Sequence, residues 1–287
     1  MLKNISKNEK IFLAGHSGMV GSAIFKKLIN NGINKDQIIT INHTELDLTI
    51  QSSVNKVFQE NEISYVFLAA AKVGGILANN SFPANFIYEN LMIQSNIIHA
   101  ASNNGVKRLL FLGSSCIYPK NATQPISESE LLNGYLEPTN RPYALAKIAG
   151  IEMIWSYNRQ FKSNSSMKSI AVMPTNLYGL NDNYNNDSSH VIPGLINKIF
   201  NALKEESNNV QLWGTGKPLR EFMFADDLAD ACIHILNLDE ENFSKIAACD
   251  RNDGLAPIIN VGTGEELSIN DLAKKISSIL GYRGNIN

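Results

Sequence analysis

The feature that most limits what this chain can fold into lies near its start. Ile11-Phe12-Leu13-Ala14 is a short apolar run, and Gly15-His16-Ser17-Gly18-Met19-Val20-Gly21 follows it directly. From Ser22 to Asn31, Ile24, Phe25, Leu28 and Ile29 recur at helical spacing, and Gly32 closes the segment. A buried strand thus runs through a glycine turn into an amphipathic helix. At such a turn the missing side chains let backbone N–H groups and the helix N-terminus approach a pyrophosphate. The spacing Gly-x-x-Gly-x-x-Gly is one residue longer than the standard dinucleotide fingerprint, so its meaning comes from the strand–turn–helix context.

The rhythm continues along the chain. Strands are predicted at Gln37–Asn42, Tyr65–Ala70, Arg108–Leu112 and Ser169–Met173. Helices are predicted at Gln51–Glu60 and Pro83–Asn104, and another runs past Lys147 to about Phe161. Ala71–Ile76 reads as a small-residue loop, and 162–168 as a serine-rich turn. On the long helix, Asn90 and Asn96 are read as exposed positions and His99 as a structural residue. Strands alternating with helices predict an α/β fold, a Rossmann-type doubly wound parallel sheet with right-handed crossovers.

After Gly179 the pattern changes. Leu180–Ser189 is rich in Asn, Asp and Ser, the composition of a functional loop or a boundary. A helix at Gly194–Lys204, short strands at Val210–Trp213 and Arg220–Phe224, and a helix capped by Asp226 or Asp227 and running to Leu238 follow. Glu240–Ala256 is read as a surface excursion, Pro257–Gly264 as a strand and turn, and Ser268 as the cap of a helix over Asp271–Leu280. The predicted division is a dinucleotide-binding domain at 1–179 and, at 180–287, mainly a smaller C-terminal α/β substrate lobe interleaved with the last sheet elements.

Chemistry concentrates after the Arg108–Leu112 strand. Leu112-Gly113-Ser114-Ser115-Cys116 is a small-residue turn at a strand end, and Tyr143 and Lys147 stand four apart, on one face of a helix. An ammonium beside a phenol lowers the phenol's pKa from about 10. With Ser114 as a second hydrogen-bonding group, this suits proton transfer at a carbonyl/alcohol centre, although a lone Tyr-x-x-x-Lys can also be an ordinary surface pair. The predicted second strand ends in Asn42-His43-Thr44 with no carboxylate for a ribose diol, which leans toward a 2′-phosphate, yet no arginine stands there. Asp47 fits either an adenine contact or a simple turn.

Composition narrows the class. A net charge of -2 gives no electrostatic reason to expect nucleic acid or an anionic membrane. The three cysteines Cys116, Cys232 and Cys249 make neither a disulfide framework nor a metal cluster. Met1–Lys10 is polar, without the apolar core of a signal peptide, and no run of about 18 apolar residues follows, so a cytoplasmic protein with no membrane span is expected.

Gly15/Gly18/Gly21, Ser114 and Tyr143-x-x-x-Lys147 together resemble the extended short-chain dehydrogenase/reductase family. Pro174-Thr175-Asn176-Leu177-Tyr178-Gly179, Trp213–Gly216, Arg220–Phe222 and Asn260–Gly264 resemble its nucleotide-sugar branch. Gly15–Gly21, Ala69–Ile76, Leu112–Pro119, Glu137–Asn140 and Ser189–Pro193 narrow the likeness to the epimerase–reductases that form GDP-L-fucose, over nearly the whole chain. The resemblance implies a GDP-sugar substrate, GDP-4-keto-6-deoxy-D-mannose, epimerised at carbons 3 and 5 and then reduced at the 4-ketone with NADPH. By it Tyr143, Lys147 and Ser114 serve reduction, while Cys116 and His190 exchange protons in epimerisation. Gly15–Gly21, Leu112–Ser115, Lys147, Pro174–Leu177 and His190 would hold NADP, and Lys198, Trp213 and Arg220 the GDP. No metal is implied, and a homodimer through helices 84–105 and 143–162 is. Relatives can carry arginines for the 2′-phosphate where this chain has Ser17, Asn42 and His43. The family also continues a few tens of residues past Asn287, so the chain reads as truncated at its C-terminus. A 4-epimerase or 4,6-dehydratase of the same family, or a catalytically silent cofactor-binding module, stays open as an alternative.

Overall fold

A computed structural model describes residues 5–161, 167–185, 189–248, 254 and 256–287. Cys249, most of the predicted serine-rich turn, and parts of the 180–189 and 240–256 segments lie outside the described residues. In chain order the elements are β1 (Lys10–Ala14), α1 (Met19–Asn30), β2 (Ile38–Ile39), α2 (Gln51–Glu60), β3 (Ile63–Leu68), α3 (Ile76–Ser81), α4 (Pro83–Asn103), β4 (Arg108–Leu112), α5 (Arg141–Gln160), β5 (Lys168–Pro174) and β6 (Asn176–Tyr178). Then come α6 (Val191–Lys204), β7 (Asn209–Val210), β8 (Leu219–Phe224), α7 (Ala225–Leu236), α8 (Glu240–Ile246), β9 (Ile258–Val261), β10 (Glu266–Ser268), α9 (Ile269–Leu280) and β11 (Asn285–Ile286).

The main sheet is parallel, in the order β2-β1-β3-β4-β5-β9. Strand β1 has β2 on one side and β3 on the other, so the chain reverses its direction of travel there. That switch point opens a crevice beyond the carboxyl ends of the strands. The strands are apolar on both faces and alternate their side chains between two cores. Phe12, Val66, Leu109 and Phe111 face Val54, Phe58, Ile97, Ile98, Ile151 and Ile154 of α2, α4 and α5. Ile11, Leu13, Phe67 and Leu110 face Ile24 and Leu28 of α1 and Leu228, Cys232 and Leu236 of α7. Ion pairs from Lys26 to Asp226 (3.3 Å) and Lys27 to Asp230 (2.5 Å) join α1 to α7 on the outside.

Residues beyond 180 serve two bodies. Helix α7 and strand β9 return to the main sheet. A third core forms from Leu195 and Ile199 of α6, Val210, Leu212, and Leu272 and Ile276 of α9. Strand β8 bridges the two, lying antiparallel to β10 and parallel to β6.

Several elements differ from expectation. Strand β2 is two residues long, because Lys35–Gln37 forms a 3-10 turn with a capping box on Asn34. Helix α1 starts at Met19, so Gly18 is its N-cap and Gly21 lies inside it. A short helix that was not predicted, α3, begins at Ile76, the last residue of what reads as a loop. Helix α6 starts at Val191 and makes His190 its N-cap. Helix α7 starts at Ala225, so Asp226 and Asp227 are first-turn anions rather than caps. The 240–256 segment is no simple excursion: α8 inserts a fully buried Phe243 beneath the Arg108 guanidinium, which stands 4.3 Å over its ring. Asn90 and Asn96 are buried, contrary to expectation. Asn90 accepts from the Lys72 N–H and donates to the Lys72 carbonyl, both at 3.0 Å, and Asn96 donates to the Leu48 carbonyl at 2.9 Å. These amides satisfy loop backbone groups at partly buried sites. His99 is structural as predicted, with Nδ1 2.7 Å from the Tyr157 hydroxyl.

Candidate active site

The carboxyl ends of the central strands open on a single long cleft of about 1840 Å³. Gly15 through Gly21, Leu112 through Ser115, Pro174 through Leu177, Tyr143, Lys147, His190, Lys198, Trp213 and Arg220 all line it. One wall comes from the β1–α1 turn, the floor from β4 and α5, and the far end from α6 and the 211–220 segment.

The glycine turn shows what the cleft is built to hold. Gly15 has φ +87°, and a Cβ there would stand 2.6 Å from the Ala70 nitrogen. A Cβ on Gly21 would stand 2.0 Å from the Gly15 carbonyl oxygen. Protein packing therefore requires both. A Cβ on Gly18 would meet only the Gly15 oxygen, at 3.6 Å. Its absence serves the open side, where α1 begins with no side-chain cap and no acidic residue in its first turn. A bare helix N-terminus under a glycine is the cradle a dinucleotide pyrophosphate needs. Beyond β2, His43 and Asp47 also line the cleft. Asp47 forms the turn considered for it: Oδ1 accepts from the Thr49 hydroxyl (2.7 Å) and N–H (2.9 Å), which holds its carboxyl below the usual range.

Helix α5 starts with Pro142 in its first turn and carries Tyr143 and Lys147 to the mouth of β4. Lys147 is 3% exposed, donates to the Leu112 carbonyl at 2.7 Å, and lies 4.7 Å from the centre of the Phe111 ring. Its Nζ is 5.8 Å from the centre of the Tyr143 ring. Burial pushes the Lys147 ammonium down to about 8. Burial, with Cys116 adding to it, pushes the Tyr143 phenol well above its usual value. The expectation that Lys147 draws the phenol down is corrected: with Nζ held by a carbonyl, loss of solvent dominates, and Tyr143 rests as a neutral phenol.

Ser114 opens a 3-10 turn, and its hydroxyl accepts the Cys116 N–H at 3.4 Å. Among the described residues on the cleft wall Cys116 does not appear. It stands behind Ser114, in electrostatic contact with Tyr143 and Lys147. Its residue surface is only half-buried, but the thiol itself is enclosed, and desolvation pushes it up to about 11. His190 faces the cleft from the N-cap of α6. Cys116 and His190 thus belong to different elements, and of the two only His190 lines the cleft.

At the far end Lys198 places Nζ 4.3 Å from the centre of the Trp213 ring, and Trp213 is 72% exposed, so it is not a core residue. Burial lowers the Lys198 pKa. An indole face beside Lys198, with Arg220 on the same cleft wall, offers stacking and cations for a diphosphate.

Sequence reasoning missed the supports. Glu221 accepts the Gly264 N–H at 2.8 Å and fixes the turn after β9. The Tyr118 hydroxyl donates to Asn260 Oδ1 at 2.5 Å, and Asn260 donates to Glu128 and to the Ile126 carbonyl, pinning the 119–136 loop to β9. Asp182, eight residues before His190, was also missed. The Asn- and Asp-rich composition of that loop does not show which carboxylate the fold encloses.

A doubly wound sheet with a pyrophosphate cradle at its switch point and a Tyr/Lys pair beside the neighbouring strand end defines a dinucleotide-dependent protein built for carbonyl/alcohol chemistry. The pattern of the NAD dependent epimerase/dehydratase family matches residues 11–247. Similar curated proteins include the GDP-L-fucose synthase of Escherichia coli (strain K12), 49% identical over 278 residues, covering 97% of this chain and 83% of that protein. GDP-L-fucose synthase 1 of Arabidopsis thaliana is 49% identical over 280 residues, covering 98% of this chain and 80% of that protein. Among solved structures, a GDP-mannoheptose C4 reductase from Campylobacter jejuni with NADP bound superposes with a TM-score of 0.84 at 35% identity, covering 99% of this chain and 88% of that one. This chain belongs to the NAD dependent epimerase/dehydratase family.

Proposed function

We propose that this protein converts GDP-4-keto-6-deoxy-D-mannose to GDP-L-fucose, by 3,5-epimerisation followed by NADPH-dependent reduction of the 4-ketone. The observation that carries the reading is 49% identity to GDP-L-fucose synthases over nearly the whole chain, joined to a cleft that collects the residues such chemistry needs.

NADP fits the cradle: Gly15–Gly21 would take the pyrophosphate, Leu112–Ser115 and Pro174–Leu177 would flank the nicotinamide half, and Lys147 would reach its ribose. When bound as NADPH, the cofactor supplies the hydride. Tyr143, a neutral phenol here, donates a proton to the carbon-4 oxygen, which Ser114 also hydrogen-bonds. The Lys147 charge offsets the phenolate that Tyr143 leaves behind. Cys116 and His190 exchange protons at carbons 3 and 5, while the donors around the carbon-4 oxygen stabilise the enolate that links the two epimers. The thiol's high pKa keeps it protonated at rest, so it must hand off its proton before it can accept one. Lys198 and Arg220 hold the diphosphate, with Trp213 against the nucleoside. In this scheme 1–179 is the cofactor domain and 180–287 mainly the substrate lobe.

Among the described residues no helix is long and apolar enough to cross a membrane, and no cluster of His, Cys, Asp and Glu could hold a metal ion. We place the enzyme in the cytoplasm as a homodimer joined through α4 and α5.

The decisive assay is run in deuterated water with GDP-4-keto-6-deoxy-D-mannose and either NADPH or NADH. The expected result is NADPH oxidation with deuterium at carbons 3 and 5 of the product. Oxidation without label would replace the reading with a simple 4-reductase, and label without oxidation would leave only an epimerase.

A further inference from the structure

The loop between β6 and α6 holds a carboxylate that this chemistry has not used. The two oxygens of half-buried Asp182 differ. Oδ1 accepts the Asn183 N–H at 2.7 Å. Oδ2 is sealed from solvent and has no hydrogen-bond partner among the described residues. A buried carboxylate oxygen left without a donor is costly, and native structures retain one where a partner arrives later or a function uses it. Burial raises the Asp182 pKa, and the ionisable group acting against that rise is His190. Among the described residues, no other titratable or charged side chain acts appreciably on this carboxyl. His190 itself is exposed on the cleft wall at the N-cap of α6, with no side-chain hydrogen bond to its own helix. An acceptor unpaired among the described residues thus lies in the field of an imidazole that does not cap its helix.

We propose that Asp182 is the positioning residue for His190. With a GDP-sugar in the cleft, one ring nitrogen of His190 donates to Asp182 Oδ2, and the other turns toward the reacting sugar carbons. A histidine has two distinct nitrogens, and the hydrogen bond made by one decides which tautomer the other presents. Without the carboxylate the ring samples both tautomers and several rotamers, and only a fraction of encounters has the proton where the carbon needs it. Asp182 touches neither substrate nor cofactor; it acts through the imidazole. This positioning role rests on the proposed part of His190 in epimerisation.

Two measurements test it. Long-range proton–nitrogen spectra read the histidine ring tautomer without turnover, with the His190 signals identified by their loss in His190→Gln. With GDP-mannose in the cleft (it lacks the ketone and cannot react), wild type should show one fixed His190 tautomer, and Asp182→Asn an exchanging mixture. Identical His190 signals in the two proteins overturn the proposal. The second measurement follows deuterium entry at carbons 3 and 5 of GDP-4-keto-6-deoxy-D-mannose with no NADPH present. Asp182→Asn should lower kcat for exchange by about 10- to 100-fold at unchanged KM, as loss of proton-transfer alignment does, with Asp182→Glu recovering part. A raised KM at full kcat is what a merely loop-supporting residue gives, and it overturns the proposal. If wild type shows no exchange at all, the epimerase reading falls, and the ring spectra still decide whether Asp182 holds His190.

Discussion

Gly18 and Gly21 stand three residues apart in one turn and answer to different demands. Gly21 has the Gly15 carbonyl against it, and Gly18 has open space. Gly21→Ala should therefore lose about 3 kcal/mol or more in urea unfolding, because backbone must move. Gly18→Ala should stay within about 1 kcal/mol of wild type, since its φ of -77° suits any residue. It should nonetheless bind NADPH at least about tenfold more weakly, a loss of roughly 1.4 kcal/mol. Wild-type affinity in Gly18→Ala, followed by NADPH fluorescence, would refute the assignment of that space to the cofactor. At this scale the sequence names reactive groups well and their environments poorly. Tyr143 and Lys147 were legible from spacing, but their burial was not, and burial reverses the expected shift of the phenol. Asn90 and Asn96 look like solvated helix positions because nothing in a sequence marks the loop backbone an amide will serve.

Among elements, α8 is the instructive failure. Glu240–Ile246 is mostly polar and offers only two large apolar residues, Phe243 and Ile246, so its pattern reads as solvent-facing. What captures it is Arg108, more than 130 positions earlier. From the first residue of β4, Arg108 donates to the Leu236 carbonyl at 2.8 Å, the Leu238 carbonyl at 2.5 Å and Glu240 at 2.9 Å. The guanidinium caps the end of α7 and roofs Phe243 at once. Arg108→Met should cost about 3 kcal/mol in urea unfolding, as several charge-assisted hydrogen bonds to otherwise buried carbonyls disappear. Glu240→Gln should cost less than about 1 kcal/mol, although Glu240 also pairs with Lys168, because its side chain is 68% exposed and solvent screens both pairs. Equal losses in the two variants would show that the ion pair, not the carbonyl cap, anchors α8. By contrast β4 and α2 match their predicted ranges, since a continuous apolar run decides the first and helical apolar spacing the second. The shortened β2 and the unexpected α3 arise where local turn chemistry overrides a weaker pattern.

For the whole molecule, the doubly wound parallel architecture could be read from the alternation of strands and helices, while the strand order and its switch point came from the structure. How residues after 180 divide between the main sheet and a third core could not, because both uses draw on the same short amphipathic pieces. The proposed dimer belongs to this scale. Helix α5 exposes Leu145 by 43%, and α4 exposes Tyr88 by 61%, at the edge of the cleft. Small-angle scattering should give a particle of twice the 31.6 kDa chain mass, and a curve fitting a single chain would remove the dimer. One strand draws a further consequence. β4 carries the Arg108 anchor at its first residue and delivers Leu112, Gly113 and Ser114 to the cleft at its other end, roughly 15 Å away for five residues of extended chain. Robustness and selectivity are therefore edited at opposite rims of the sheet. A lineage, or a laboratory, can reinforce the lower rim against heat while the upper rim drifts toward other nucleotide sugars, and neither history need constrain the other.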